Sequence, residues 1–243
     1  MNGINQVSPD QAACERVVLL HGIARTSRSM RKLELALQET GFATLNIDYA
    51  SRKKPIAALV DDIHPAIARF SAGGYAPLHF VAYSMGGLLA RAYIAKYRPA
   101  RLARVVLLGT PNGGSEVADL VCRSTLYRAF YGPAGLELTT EHAGKLHTLP
   151  APDYPVGIIA GNRFIDPVAG LFVVPKPSDG RVSVRSSTIE GMTDHIVIKA
   201  THPGLPRNAV AIEQTIAFLR DGHFRPSLPA RESAQTAPRR SCA

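Results

Sequence analysis

Hydrophobic and polar positions fall into two kinds of segment along this chain. Short runs in which nearly every residue is apolar predict buried strands, and longer stretches with apolar residues three or four positions apart predict amphipathic helices. The predicted strands are 16–20, 42–49, 78–83, 102–108, 156–161 and 194–200. The predicted helices are 30–40, 56–70, 85–97, 117–130 and 209–219. Strands and helices therefore alternate over most of the sequence.

This alternation predicts an α/β fold with a mostly parallel central sheet. Strands that are apolar throughout need cover on both faces, and the connecting helices provide it. The pattern is interrupted over about 112–150, where we expect a short cap insertion above the strand ends. In this insertion, the predicted helix 117–130 is followed by an expected loop through Pro133, Gly135 and Pro150. Ligands of such sheets bind beyond the carboxyl ends of the strands. The loops after the strands are therefore where candidate chemistry is expected.

Length and composition are those of one globular domain. The chain has 243 residues, of which 46% are hydrophobic, enough for one large core. We expect a flexible leader at 1–14, a single domain at 15–224 and a disordered basic tail at 225–243, because the tail is rich in Pro, Ser and Arg and has no periodicity.

The net charge and the cysteine content indicate which partners the protein could bind and in which cellular compartment it is expected. The formal net charge is +9, and its dispersed basic residues are compatible with weak association with an anionic membrane surface. Aromatic residues do not interleave with the basic clusters, so no specific nucleic-acid partner is expected. Three cysteines cannot form a fully paired disulfide framework, and the amino terminus has no apolar signal segment. We therefore expect a cytoplasmic protein, with a peripheral membrane location as an option. The oligomeric state stays open.

Ser84 is the candidate nucleophile. It lies where the apolar strand 78–83 passes directly into a helical pattern, in the segment Ala82-Tyr83-Ser84-Met85-Gly86. Such a sharp reversal needs small residues two positions before and after the serine, because the two backbones nearly touch there. The turn would present the hydroxyl at the carboxyl edge of the sheet. This geometry is typical of an acyl-transfer nucleophile.

An acyl-transfer site also needs donors for an oxyanion. The backbone N–H of Met85, at the start of the helix after Ser84, is one candidate. The second should come from the loop after the first strand, where His21-Gly22-Ile23 offers the N–H of Ile23. Gly22 would let the backbone approach closely, and His21 is expected to brace the loop by hydrogen bonds.

His202 is the candidate general base, because it follows the last strand and precedes the last helix. His195 lies near the beginning of that strand, roughly 20 Å from the carboxyl edge at about 3.3 Å per residue, which is too far to accept the serine proton.

A general base of this kind also needs a carboxylate to orient it, and Asp179 and Asp166 are both candidates. Asp179 is favoured because it begins an ordered turn, and Asp48 is a weaker third candidate.

Taken together, these segments resemble those of the bacterial lipases and esterases of the α/β-hydrolase superfamily over about residues 16–222. The motifs that carry the resemblance are Val18-Leu19-Leu20-His21-Gly22, Ala82-Tyr83-Ser84-Met85-Gly86-Gly87, Leu108-Gly109-Thr110-Pro111-Asn112-Gly113-Gly114-Ser115, Ser178-Asp179-Gly180-Arg181-Val182-Ser183-Val184 and Thr201-His202. They are specific jointly and not singly. Two features depart from the family pattern: Ala82 replaces the first glycine of the serine turn, and the cap is short.

The resemblance implies a serine hydrolase that cleaves carboxylic esters through Ser84, Asp179 and His202, with Ile23 and Met85 as the oxyanion hole and Gly86 supporting the turn. It implies no cofactor and no metal. The expected substrate is a small acyl ester, with lipid-derived esters as one candidate. A thioesterase, an amidase or an acyltransferase would use the same residues. The alternative of another class is a non-catalytic adaptor on a hydrolase scaffold that binds a membrane surface or nucleic acid.

Overall fold

A six-stranded parallel sheet forms the centre of the computed structural model, which describes residues 14–72, 75–114, 125–137, 149–164 and 176–226, without the side chains of 125–130. The strands are β1 (Arg16–Leu20), β2 (Ala43–Ile47), β3 (Leu78–Tyr83), β4 (Leu102–Leu108), β5 (Val156–Gly161) and β6 (Asp194–Ile198). Their order across the sheet is β2-β1-β3-β4-β5-β6. The predicted α/β class is confirmed, and every strand pair in the described part of the sheet is parallel.

The sheet order places β3 in the interior, between β1 and β4. All six of its residues are buried. Its last residue, Tyr83, pairs with Leu108 at the end of β4, and Ala82 pairs with Leu20 at the end of β1. The three strands therefore end at one level, and the loops that follow them meet beside Ser84.

Six helices cover the sheet within the described residues. They are α1 (Arg31–Glu39), α2 (Ile56–Ser71), α3 (Met85–Tyr97), α4 (Thr125–Leu136), α5 (Val184–Ser187) and α6 (Ala209–Asp221). One core contains Leu59 of α2, Leu89 of α3 and Phe80 of β3. The second, on the other face, contains Leu33 of α1 and Phe218 of α6. The predicted cover on both faces is thus present.

Two strands end earlier than the hydrophobic pattern predicts. The predicted strands 42–49 and 194–200 end at Ile47 and Ile198. After Ile198 the N–H of Ala200 turns back to donate to the carbonyl of Ile198 at 2.8 Å, so the ladder cannot continue. After Ile47 the N–H of Tyr49 donates to His21 Nε2 at 3.4 Å. In both places the chain leaves the sheet to build the loops around the site.

The cap helix differs from its prediction. A helix was expected over 117–130, followed by a loop through Pro133 and Gly135, but α4 runs over Thr125–Leu136. The prediction of a loop at Pro133 and Gly135 is therefore wrong. Gly132, with φ of 63°, breaks α4 into two helical segments. Pro133 opens the second segment, where its missing N–H costs no helical hydrogen bond.

The ends of the chain and most of the predicted cap lie outside the described residues. This applies to 1–13 of the predicted leader, to 227–243 of the predicted tail, and to 115–124 and 138–148 of the insertion. Among the residues that are described, none of the helices combines the length and the hydrophobicity that a membrane span requires.

Candidate active site

Ser84 occupies a strained turn between β3 and α3. Its φ of 55° and ψ of −127° are rare for a residue with a side chain. The strain is stabilised by the Ser84 N–H, which donates to the carbonyl of Leu108 at 2.8 Å, and by the helix that starts at the next residue. A Cβ on Gly86 would lie 2.5 Å from the carbonyl oxygens of Leu20 and His21. Glycine is therefore required there for α3 to pass β1.

The Ser84 hydroxyl lies beside His202. The distance from Ser84 Oγ to His202 Nε2 is 2.9 Å, and both side chains are buried. His202 comes from the 3₁₀ helix His202–Arg207, which follows β6. The two residues are 118 positions apart in sequence and meet because β3 and β6 end at the same edge of the sheet.

Asp179 completes the hydrogen-bonded chain on the other side of the imidazole. Its Oδ2 lies 2.7 Å from His202 Nδ1, and its Oδ1 accepts the N–H groups of Arg181 at 3.0 Å and Val182 at 2.9 Å. A carboxylate only accepts hydrogen bonds, so Nδ1 carries the proton and Nε2 accepts from the Ser84 hydroxyl. This is the tautomer that a general base needs.

The backbone of His202 is also fixed. Its N–H donates to the carbonyl of Asp179 at 2.9 Å, and its carbonyl accepts the hydroxyl of Tyr83 at 2.9 Å. Tyr83 directly precedes Ser84, so one strand end positions both the hydroxyl and the loop that carries the imidazole. The sequence analysis did not single out Tyr83. A tyrosine at the end of a buried strand, directly before the serine turn, was the available signal, because a buried phenol usually has a hydrogen-bond partner.

Two glycines allow the acid and the base to pack against the strand ends. A Cβ on Gly109, whose φ is 54°, would lie 3.0 Å from Asp179 Oδ2 and 3.3 Å from His202 Nδ1. A Cβ on Gly161 would lie 2.8 Å from the Cβ of Asp179. The ends of β4 and β5 therefore set how deeply the Asp179–His202 pair is buried.

The two predicted oxyanion donors are the backbone N–H groups of Met85 and Ile23. Met85 is the first residue of α3, and Ile23 follows Gly22, whose added Cβ would come within 3.1 Å of the Cβ of Ser84. Within the described part of the chain, neither N–H donates to another group. The N-terminus of a helix also favours negative charge. The structure therefore places Met85 directly after Ser84 and the residue before Ile23 against the Ser84 side chain.

The loop that carries Ile23 is held by residues from the end of β2. The His21 ring stacks on Tyr49 with the ring centroids 4.0 Å apart, and the Tyr49 hydroxyl donates to the His21 carbonyl. Ala24, at a φ of 55°, donates its N–H to Ser51 Oγ at 3.1 Å. His21 braces the loop as expected, but Tyr49 and Ser51 were missed because their roles depend on a contact with a neighbouring strand.

The remaining predicted candidates take other roles or are not described. His195 is the second residue of β6, where it pairs with Ile158 in the body of the sheet. Asp48 accepts the N–H and the hydroxyl of Ser27 at 2.6 and 2.8 Å, which ties the loop after β1 to β2. Asp166 lies outside the described residues.

Two ionisable groups of the supporting loop have shifted pKa values. Burial lowers the pKa of His21, against the opposing effects of its hydrogen bond to the Gly22 carbonyl and of the Asp48 charge. The neutral ring fits its partners, since Nδ1 donates to the Gly22 carbonyl at 2.8 Å and Nε2 accepts from Tyr49. The N–H of Ser27 lowers the pKa of Asp48. Within the described residues, no three His, Cys, Asp or Glu side chains are grouped as metal ligands.

The sheet topology, the serine turn and the loops around it are those of an α/β hydrolase. The family model for the alpha/beta hydrolase fold matches residues 15–135, which include β1 to β4 and the Ser84 turn. The chain belongs to the α/β-hydrolase superfamily.

Comparison with individual proteins agrees with this membership. The chain is 23% identical over 259 aligned positions to the lysosomal thioesterase PPT2 of Bos taurus, with 95% of this chain and 81% of the thioesterase covered. It is 22% identical to the Homo sapiens PPT2, at 95% and 82% coverage.

Solved structures share the fold at low sequence identity. The mature lipase BlEst2 of Bacillus licheniformis superposes with a TM-score of 0.68 and 19% identity, over 90% of this chain and 95% of the lipase. The metagenomic carboxyl esterase MGS0156 superposes with a TM-score of 0.65 and 20% identity, over 79% of this chain and 65% of the esterase. At this identity the likeness establishes the fold alone.

The lowered pKa of His21 predicts a loss of stability in acid. The unfolded chain binds a proton on this imidazole near the ordinary pKa of 6.5, whereas the folded protein binds it only at lower pH. The free energy of unfolding should therefore fall as the pH drops below 6.5, and burial of His79 and His195 acts in the same direction. His21→Gln should reduce the slope of the unfolding free energy against pH by up to about 1.4 kcal/mol per pH unit.

Urea unfolding of both proteins across this pH range measures the slope. His223→Gln, which changes an exposed histidine beyond α6, is the matched control and should leave the slope as it is. An unchanged slope in His21→Gln would show that His21 does not stay neutral when the protein folds.

Proposed function

We propose that this chain is a serine hydrolase that cleaves carboxylic esters, with Ser84 as nucleophile, His202 as general base and Asp179 as the acid that orients it. The observation that carries the proposal is the continuous hydrogen-bonded chain from Ser84 Oγ through His202 to Asp179, with distances of 2.9 and 2.7 Å. Membership of the α/β-hydrolase superfamily supports hydrolysis as the reaction class.

In the first half-reaction, Ser84 Oγ attacks the acyl carbon while its proton moves to His202 Nε2. The negative charge on the carbonyl oxygen is stabilised by the N–H groups of Ile23 and Met85. Asp179 accepts from Nδ1 throughout and stabilises the imidazolium without taking its proton. His202 then gives the proton to the departing alcohol oxygen, and the acyl group remains on Ser84.

In the second half-reaction, water attacks the acyl-serine while His202 takes a proton from it. A second oxyanion forms against the same two N–H groups. The bond to Ser84 Oγ then breaks, the serine recovers its proton from His202, and the carboxylic acid leaves. None of these steps calls for a cofactor. The proposed substrate is a small acyl ester, and lipid-derived esters are favoured by the lipases and esterases that share the fold.

Removing the Ser84 hydroxyl tests the proposal directly. Ser84→Ala should lower the turnover of p-nitrophenyl esters by several powers of ten, because the covalent step is lost. A fluorophosphonate probe should label the wild-type chain at Ser84 and leave the variant unlabelled. Ser71→Ala, at the far end of α2, is the matched control and should behave as wild type. Near wild-type turnover by folded Ser84→Ala would rule out this nucleophile.

Tyr83 is proposed as a positioning residue that acts through His202. Tyr83→Phe removes the hydroxyl that binds the His202 carbonyl, and it leaves a buried acceptor unpaired at a cost of about 1–3 kcal/mol. We expect kcat to fall about tenfold or more, with KM little changed. Steady-state kinetics with a p-nitrophenyl ester measure the two parameters separately.

Tyr93→Phe provides the comparison for this variant. Tyr93 is also buried, and its hydroxyl contacts His64 Nδ1 at 3.2 Å on the face of α3 that packs against α2. Both variants should lose stability, but Tyr93→Phe should keep its kcat. Equal values of kcat in Tyr83→Phe and Tyr93→Phe would show that Tyr83 has a structural role only.

Thioester hydrolysis is the second candidate, because the two curated relatives that cover 95% of this chain are named as thioesterases. The same three residues would perform it, with a thiolate as the leaving group. An oxygen ester and a thioester of the same acyl chain, compared by kcat/KM, distinguish the two. We expect the oxygen ester to be cleaved at least as efficiently as the thioester. A strong preference for the thioester would favour the second function.

A further inference from the structure

The excess of basic over acidic residues in the described chain lies on the face that carries Ser84. We define the site face as the loops beyond the carboxyl ends of the strands: 21–30, 48–55, 109–114, 162–164, 176–187 and 199–208. It carries eleven exposed Lys and Arg side chains, namely Arg25, Arg28, Arg52, Lys53, Lys54, Arg163, Lys176, Arg181, Arg185, Lys199 and Arg207. Its acidic residues are Asp48 and the buried Asp179.

The rest of the described chain is nearly balanced in charge. It carries twelve Lys and Arg against eleven Asp and Glu. Several of these form ion pairs, such as Arg31 with Glu34 at 3.0 Å and Arg98 with Asp153 at 2.5 Å. Nearly all of the net positive charge of the described chain therefore comes from the site face.

Internal segments outside the described residues do not reverse this excess. By sequence, 115–124, 138–148 and 165–175 contain four acidic and two basic residues, namely Glu116, Asp119, Glu141, Asp166, Arg123 and Lys145. Their net charge of −2 is small beside the nine positive charges by which bases exceed acids on the site face. The site face would stay strongly positive wherever these segments lie.

The positive charges surround the site and do not converge on one point. Arg25, Arg28 and Lys53 follow β1 and β2, whereas Arg185 and Lys199 follow β5 and β6, on the opposite side of Ser84 in the sheet order. A site for a single phosphate would need several donors directed at one position. A ring of separate charges instead matches an extended surface of negative charge.

The field of this ring reaches the candidate active site. Burial raises the pKa of Tyr83, and the charge of Asp179 adds to the rise, while Arg181, Arg25 and Arg207 oppose it. These three arginines come from three different loops of the site face, and all of them act on the phenol beside Ser84. Charges of the site face therefore act on the side chain that directly precedes Ser84.

We propose that the site face docks on an anionic lipid surface, with the entrance to Ser84 turned toward the bilayer. Basic residues near such a surface each strengthen binding, by roughly fivefold in the binding constant. The lipid-facing orientation would bring acyl esters in the membrane to the serine. This functional meaning rests on the proposed hydrolase function, whereas docking itself does not.

Vesicle binding tests the proposal with the full chain carrying Ser84→Ala, so that the lipids are not consumed. Vesicles of phosphatidylcholine alone are compared with equimolar phosphatidylcholine and phosphatidylglycerol in a flotation assay. We expect binding to the anionic vesicles only, with a binding constant that falls as salt is added. Equal binding to both kinds of vesicle, or to neither, would overturn the proposal.

Two triple variants locate the docking surface. Lys53→Gln, Arg185→Gln and Lys199→Gln neutralise three charges on opposite sides of Ser84, and should weaken anionic vesicle binding by at least about tenfold. Arg69→Gln, Arg101→Gln and Arg225→Gln remove the same charge from exposed positions outside the site face and should have little effect. Circular dichroism confirms that both variants fold. Equal losses in the two variants would mean that docking follows overall charge and would overturn the assignment of the site face.

Two further measurements separate this proposal from its alternatives. If the chain binds a single-stranded RNA oligonucleotide through the same three residues while ignoring anionic vesicles, the lipid surface is the wrong partner. Fluorophosphonate labelling of the wild-type chain without vesicles tests the hydrolase function independently. A chain that is labelled but does not dock contradicts only the docking proposal, and a chain that docks but is not labelled contradicts only the proposed hydrolase function.

Discussion

The site depends on the buried hydrogen bond between Asp179 and His202. It fixes the tautomer of the imidazole, so that Nε2 accepts from Ser84, and it is itself held by two backbone N–H groups on Asp179 and by the backbone of His202. Burying a charged acceptor is favourable only when its oxygens are all satisfied. The loop of residues 179–182 meets that requirement locally, which leaves one oxygen free to orient the base.

The same site is possible because backbones approach one another unusually closely at the carboxyl edge of the sheet. Gly86 allows α3 to pass β1, and Gly109 and Gly161 make room for the acid and the base. Tyr83 then joins the serine strand to the His202 loop. Small residues at the strand ends and one phenol between them thus bring three distant segments to within hydrogen-bond distance.

The net charge of the described chain is concentrated on the same face as the candidate catalytic residues. The loops that follow the strands hold Ser84, His202 and Asp179, and they also hold nearly all of the excess of lysine and arginine, while the remainder of the described chain is close to neutral. A parallel sheet explains why these features share a location, because every strand ends at the same edge. Sequence differences in these loops would therefore act on both the candidate active site and the charge of the face that surrounds it.

The sequence alone determined the alternation of apolar strands and amphipathic helices, and with it the α/β class, the position of the Ser84 turn and the placement of His202 after the last strand. These are local patterns of hydrophobicity and turn chemistry. Tertiary structure decided what no local pattern contains: that Tyr83 binds the His202 carbonyl, and that Tyr49 and Ser51 hold the Ile23 loop. Each of those features depends on a partner far away in the sequence, and only the packing of the strands brings the partners together.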